Sequence, residues 1–330
     1  MKKKTTIIEE IEQHLFRLEI PLPNNPLQSI NSYVIAGERN LVVDTAFNLD
    51  SCYAHFMEGI STLGIDLTKT DFVITHMHPD HAGLVHRVAS EKSRIYFSRI
   101  DALLPRDRRF WDGLVQFARS SGLSDADITF MRDKTDGYRY DTGWFDRVAP
   151  VGDGCAIECG DYRFRCIETP GHTMGHICLY EPAKEILITG DHILMDITPN
   201  VTCWSDGENR LARYFESLRK IDELDVRVVL PGHRRVFFDH HARIGELERH
   251  HRQRLGEVAS ILSEGSKTAA QVAAGMDWDI DCSSWEAFPP PQKWFATGEA
   301  LAHIRYLEED GMVCRTEKQG VFVYSLASVP

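Results

Sequence analysis

The 330-residue chain is 43% hydrophobic and 26% charged, the balance of an ordinary soluble globule with room for roughly two domains. Its 37 Lys and Arg stand against 49 Asp and Glu, a net charge of −12. So acidic a surface repels polyanions, which disfavours a general nucleic-acid binder or a protein of anionic membranes.

The N-terminus opens Met1-Lys2-Lys3-Lys4, but Thr5-Thr6-Ile7-Ile8 runs into Glu9-Glu10 before an apolar stretch develops. Neither a signal peptide nor a transmembrane helix is expected, and the protein reads as cytoplasmic. The eight cysteines are scattered without a Cys-x-x-Cys pair, and they read as free buried thiols in a reducing compartment. Cys155 and Cys159, spaced Cys-x-x-x-Cys, are a weaker candidate for a metal or redox pair.

Residues Leu15–Ile20, Ser32–Ile35 and Leu41–Asp44 alternate or run apolar between Pro, Gly and Asn, the pattern of strands. A helix is expected around 51–62, then a short apolar strand over Asp71–Thr75 that stops at a loop, then helical spacing to about 90. A helix-rich insertion fills about 99–148. Strands return at about 161–169, 176–181 and 185–190, a helix at about 208–222, a strand at Arg227–Leu230 and a long helix from about 240 to 263. Mixed strands with interspersed helices imply two sheets flanked by helices. Beyond about 266 the order is a helix over Thr268–Ala274, an aromatic loop with three prolines, a helix over Gly298–Glu309 and a hairpin of Met312–Arg315 with Gly320–Ser325. That order spells a winged-helix module, so the expected domains are 1–264 and 265–330.

The chemistry concentrates in His76-x-His78-x-Asp80-His81, four metal-competent side chains directly after an apolar strand. An irregular loop lets such residues converge, and imidazole with carboxylate suits zinc, iron or manganese. His172, Asp191 and His233 each follow a glycine at another strand end. Seven ligands exceed one tetrahedral site and suit two metals sharing a carboxylate. His240, His241, His250 and His251 fall in the closing helix and are expected on its solvated face, while His176 and His192 are read as packing residues beside the ligand loops.

Thr75-His76-Met77-His78-Pro79-Asp80-His81-Ala82-Gly83, followed in order by His172, Asp191 and His233, resembles the metallo-β-lactamase superfamily over about residues 10–255. The resemblance implies an α+β fold, a four-layer αβ/βα sandwich with two divalent metal ions at one edge, zinc before iron or manganese. It assigns His76, His78 and His172 to the first ion, Asp80, His81 and His233 to the second, and Asp191 to both. Asp44 resembles the family's aspartate that orients a ligand imidazole. The implied reaction is hydrolysis: two ions sharing a water lower its pKa towards about 7, with Asp80 and Asp191 as catalytic carboxylates. His78 stands where the oxygen-reducing flavodiiron branch has Glu; a sulfur-oxidising mono-iron branch keeps the hydrolase-like ligands.

The C-terminal module, the loop from Thr198 to Trp204 and the closing helix resemble the β-lactamase-like protein 2 group, whose members hydrolyse varied substrates and include an animal branch associated with single-stranded RNA. Residues 266–330 carry five Lys and Arg against nine Asp and Glu, so DNA binding is disfavoured and packing, rim-shaping or homodimer formation preferred. The insertion from Pro105 to Val148 holds eight aromatics and an arginine cluster at 106, 108 and 109. Trp111, Tyr138, Tyr140 and Trp144, with Trp204 outside it, are therefore the candidates for contacting a substrate. The expected substrate is a small ester or thioester of the acyl-CoA type. The alternatives are a metal-dependent endoribonuclease or phosphodiesterase, with RNA disfavoured by charge, and a winged-helix regulator with a vestigial metal domain.

Overall fold

The computed structural model describes residues 6–103, 108–137 and 143–327. The chain divides into two compact units, residues 1–106, 138–199 and 217–243 in one, and 107–137, 200–216 and 244–330 in the other. Residues 107–137, 200–216 and the stretch from 244 thus group with the C-terminal segment. No helix among the described residues is long and apolar enough to cross a membrane.

The first unit is built on two sheets. One has seven strands in sequential order: β1 (Ile7–Glu12), β2 (Leu15–Pro21), β3 (Ser29–Ile35), β4 (Asn40–Val43), β5 (Thr70–Ile74), β6 (Ile95–Ser98) and β7 (Val148–Val151). The other comprises β8 (Ala156–Cys159), β9 (Tyr162–Glu168), β10 (Ile177–Glu181), β11 (Ile186–Gly190) and β12 (Val228–Pro231), ordered β12-β11-β10-β9-β8. Leu15, Tyr33, Leu41 and Val73 of the first sheet share a core with Phe164, Leu179, Ile188 and Leu230 of the second, so the sheets face one another. On its other face the first sheet packs Phe72, Val42 and Leu18 against Cys52, Phe56 and Ile60 of the helix Asp50–Thr62. The architecture is the expected α+β sandwich.

Burial explains which strands announce themselves in the sequence. All five residues of β5 are buried, as suits a parallel strand covered on both faces. β9 alternates, with Tyr162, Phe164 and Cys166 buried and Arg163 and Arg165 exposed. By contrast β1 reads Ile-Ile-Glu-Glu-Ile-Glu and lies at the sheet edge, where exposed carboxylates are tolerated and protect against edge pairing. β6, β7 and β8, at four residues each, are no shorter than β4 and β12 but lack their uninterrupted burial, so no apolar run marks them.

Strand direction fixes where the loops go. β4, β5, β6 and β7 are mutually parallel. In the other sheet β11 is parallel to β12 and antiparallel to β10, which is antiparallel to β9. The C-terminal ends of β9, β11 and β12 therefore lie along one edge, and the expected ligands follow those ends.

In the second unit the helices Arg108–Ser120 and Asp125–Gly137 lie with Ala269–Gly275, Pro290–Glu309 and a hairpin of β13 (Val313–Lys318) and β14 (Val321–Leu326). Thr268 closes a capping box with Gln271 at the start of its helix. The last helix begins at Pro290, eight residues before the expected start at Gly298, because prolines fit a first turn whose N–H groups have no intrahelical partner. All eight cysteines are free, and Cys155 and Cys314 are exposed rather than buried; Cys155 sits in the turn that precedes β8.

His240 and His251 do not decorate a solvated face: each is at most 2% exposed. His251 Nδ1 lies 3.1 Å from His303 Nε2, and His303 Nδ1 donates to the Glu299 carbonyl at 2.8 Å. Helical spacing places His251 on the same helix as exposed charges, but only the tertiary fold brings it against His303. Burial pushes His303 down to about 4, against a weaker upward pull from its bond to the Glu299 carbonyl; burial and the His303 ring push His251 well below its ordinary value. A ring whose pKa is depressed on folding contributes full stability above its unfolded value near 6.5 and loses it as pH falls towards the folded one. Urea unfolding of the wild type should therefore show stability falling between pH 6.5 and 4, with up to about 3 kcal/mol of that fall absent from a His303→Gln variant. An identical pH slope for the two proteins would show that this ring is not the titrating group.

Candidate metal centre

Three histidines are set by hydrogen bonds that hold one ring nitrogen outward and leave the other facing a common space. His81 Nδ1 donates to Asp44 Oδ2 at 2.7 Å, His233 Nδ1 to the Ser29 carbonyl at 2.7 Å, and His76 Nδ1 lies 3.0 Å from Thr75 Oγ1, which itself donates to Asp44 Oδ2 at 2.7 Å. The Nε2 atoms of all three rings, with Asp191 Oδ1, are buried without a hydrogen-bond partner. Burying four such atoms unsatisfied costs several kcal/mol. A cation would satisfy all four, and nitrogen and carboxylate donors suit a divalent transition metal.

These side chains form overlapping groups whose ligand atoms lie within 4.8 Å of one another: His76, His78 and His172; His76, His81 and Asp191; Asp80, His81 and His233. His78 Nδ1 and His172 Nε2 are 2.9 Å apart. Asp191 stands between the groups, with Oδ1 3.4 Å from His81 Nε2 and Oδ2 3.5 Å from His233 Nε2 and 3.7 Å from His172 Nε2. Asp80 Oδ2 is 3.2 Å from His233 Nε2. All seven residues singled out in the sequence as metal ligands therefore come together.

The electrostatics suit such a set. Burial holds His78 down at about 3, helped by the neighbouring His172 ring, and burial with His81 and His78 beside it keeps His76 well below its ordinary value; both rings offer lone pairs at neutral pH. Burial alone would raise the carboxyl of Asp80, but His81 and His233 outweigh it and hold it at about 2. Burial likewise opposes ionisation of Asp191, and His233 with His81 overcomes it. Burial opposes protonation of His81 and His233 too, but Asp44 and Asp191 outweigh it for His81, and Asp191 and Asp80 lift His233 to about 10. Two ionised carboxylates thus face two neutral rings, His76 and His78, and two rings whose positive charge a bound cation would replace.

The backbone around the site is shaped for it. Asp44 has a left-handed φ of 59°, a conformation Asp tolerates better than most residues, and its carboxylate also accepts from Thr75 N at 2.8 Å. Gly190 has φ 46°, and a Cβ there would lie 2.7 Å from Thr75 Oγ1 and 2.8 Å from His176 Nε2. That His176 nitrogen accepts from Asp191 N at 3.2 Å while Nδ1 meets Thr169 Oγ1 at 2.8 Å, so His176 fixes the Asp191 turn. His176 thus supports the ligand loops beside which the sequence placed it, whereas Asp101, whose carboxylate accepts from Met77 N and Thr173 Oγ1, is a support that only the folded contacts bring into view.

The aromatic candidates fare differently. Trp144 is a core residue, 3% exposed and packed on Phe97 and Phe145, because the insertion returns to the sheet there; it presents no surface to a substrate. Trp204 is likewise buried, its ring stacked 4.3 Å from Trp294 in the second unit. Trp111 is half-buried on the helix Arg108–Ser120. Tyr138 and Tyr140 lie outside the described residues. A further group, Asp222 with His240 and His241, has His241 Nδ1 engaged by Asp222 Oδ1 at 2.7 Å.

Comparison with known proteins agrees with the fold. Residues 25–233 match the metallo-β-lactamase superfamily, and residues 286–327 match a metallo-β-lactamase-like C-terminal domain. A β-lactamase-like protein 2 homolog of Caenorhabditis elegans is 26% identical over 83% of this chain and 82% of its own length. The human acyl-coenzyme A thioesterase MBLAC2 is 26% identical over 63% of this chain and 74% of its own. The crystal structure of a metallo-β-lactamase family protein from Thermus thermophilus superposes with a TM-score of 0.80 at 27% identity, covering 96% of this chain and all of that one. With the family match spanning residues 25–233 and the His/Asp groups gathered at one edge of two facing sheets, the chain belongs to the metallo-β-lactamase superfamily and is a hydrolase of that fold.

Proposed function

We propose that this hydrolase holds two divalent metal ions and cleaves a small ester or thioester of the acyl-CoA type. The observation that carries the proposal is the pair of three-residue groups on either side of Asp191, with four buried donor atoms left unsatisfied. In this reading His76, His78 and His172 hold one ion, Asp80, His81 and His233 the other, and Asp191 contributes to both. Zinc is the metal we favour, since the donors are imidazole and carboxylate in groups of three, each leaving a position for water or substrate. The thioester assignment is supported by the human relative named as an acyl-coenzyme A thioesterase. We also read the C-terminal helices and hairpin as a winged-helix module, on the order of its elements.

Held by these residues, divalent cations would supply Lewis acidity, which lowers the pKa of a bound water and polarises a carbonyl. Everything else falls to the chain. Asp80, held ionised by its histidine neighbours, aligns the attacking water. Asp44 fixes the tautomer of His81 so that Nε2 keeps its lone pair for the site. Thr75 passes the same constraint to His76 through a single hydroxyl.

Two experiments test this reading. Zinc-loaded protein is expected to hydrolyse acyl-CoA thioesters and leave single-stranded RNA intact, with turnover falling more than about 100-fold and bound metal dropping in an Asp191→Ala variant. RNA cleavage that disappears in the same variant would overturn the substrate assignment. Asp44→Asn keeps a residue that accepts φ near 60° but turns an N–H donor towards His81 Nδ1, which forces the ring proton onto Nε2. Competition with a chelator should show one of the two metal equivalents held about 10- to 100-fold more weakly, with the fold intact by circular dichroism. Unchanged affinity would remove Asp44 from the ligand-orienting role.

A further inference from the structure

Asp101, on the short helix Arg99–Leu103 that follows β6, is fully buried. A carboxylate in such surroundings is costly unless strong hydrogen bonds compensate it. Among the described residues, three donors reach it from the two loops that carry the first histidine group. Oδ2 accepts from Met77 N at 2.9 Å and from Thr173 Oγ1 at 2.6 Å, and Oδ1 accepts from Gly175 N at 2.8 Å. Met77 stands between His76 and His78, and Thr173 directly follows His172.

The two loops leave different sheets: the first follows β5 and the second follows β9. One carboxylate therefore ties both sheets together beside the place where His78 Nδ1 and His172 Nε2 come within 2.9 Å. Gly175 belongs to the same construction. A Cβ there would lie 2.5 Å from Asp101 Oδ1 and 2.6 Å from Ser98 Oγ, so only glycine lets the backbone N–H reach the carboxylate. Three donors satisfied by one side chain, all within three residues of a histidine of this group, is more than packing requires, since an apolar residue would fill the space at lower desolvation cost.

We propose that Asp101 is a positioning residue that sets the separation of His76 and His78 from His172, and so tunes the affinity and geometry of the metal position they form. The inference rests on the metal reading of the preceding section. Asp101 touches neither that position nor the substrate and acts through the backbone of both loops.

The test is a titration of the full chain with Co2+, read by its visible absorption, which reports coordination geometry. The wild type should take two equivalents. Asp101→Asn puts an N–H donor against at least one of the three donors, and should weaken one equivalent about 10- to 100-fold and shift its spectrum. Thr173→Val removes a single hydrogen bond with little change in volume, and should weaken the same equivalent less. The loss should persist in a His233→Ala background, where the first position survives, and vanish in a His78→Ala background, where it is already broken. Equal weakening of both equivalents, or a change in melting temperature with affinities and spectrum unchanged, would overturn the proposal and leave Asp101 a structural residue. A wild type that binds no Co2+ would remove the metal reading itself, and the inference with it.

Discussion

The whole of the first unit is arranged around an electrostatic problem that its own side chains do not solve. Three imidazole nitrogens and a carboxylate oxygen are buried together without hydrogen-bond partners, and two carboxylates there stay ionised against the cost of burial. A sequence gains nothing in stability from such a cluster; apolar residues of similar volume would pack the same space at lower cost. Its persistence makes sense only with the surrounding restraints, since each outward ring nitrogen already has its own partner: Asp44 for His81, Ser29 for His233 and Thr75 for His76.

Those restraints cost little because the fold supplies them from strand ends. A strand ends with its last carbonyl and N–H groups free of the ladder, and the residues after it can turn sharply. β5 delivers the first cluster, β9, β11 and β12 deliver His172, Asp191 and His233, and β4 delivers Asp44. The sheets face each other through Tyr33, Phe164, Leu179 and Leu230, so loops from both reach the same space. Tyr33 and Asn31 of β3 also donate to the Pro231 carbonyl at 2.8 and 2.9 Å, stitching the sheets together one turn from His233. Rigidity at this edge is a matter of many short polar ties laid across an apolar core.

This arrangement also explains what could be read in advance. The ligands were legible because six residues hold four of them, and because the others sit beside glycines that mark strand ends. The buried strands were legible as short apolar runs, and the helix Asp50–Thr62 from its period. Asp101 was not, since one aspartate among charged neighbours after a short strand has no pattern, and its three donors are 24 to 74 residues away in sequence. His251 misled for the opposite reason: its helix carries many charges, and the partner that makes its burial tolerable is 52 residues away. Trp144 belonged to an aromatic-rich segment, and composition does not separate the aromatics of a core from those of a rim. Its place against Phe97 depends on β7 returning the chain to the sheet, a four-residue strand with no buried position to mark it.

Charge has to be argued at two scales. Over the molecule, −12 opposes any ligand that must track the surface, as a polynucleotide does, and salt screens that field beyond roughly 8 Å. With the two divalent cations proposed for the centre the count would be reversed, the two negative charges of Asp80 and Asp191 standing against four positive ones. A small anion entering that space would then meet a net positive centre in a low-dielectric setting, where electrostatic attraction is strongest, and leave the acidic surface behind within a few ångströms. An RNA strand gains the same attraction at one phosphate and meets repulsion at its neighbours. On this ground a compact substrate with an anionic end, as an acyl-CoA has, fits the charge distribution better than a polymer.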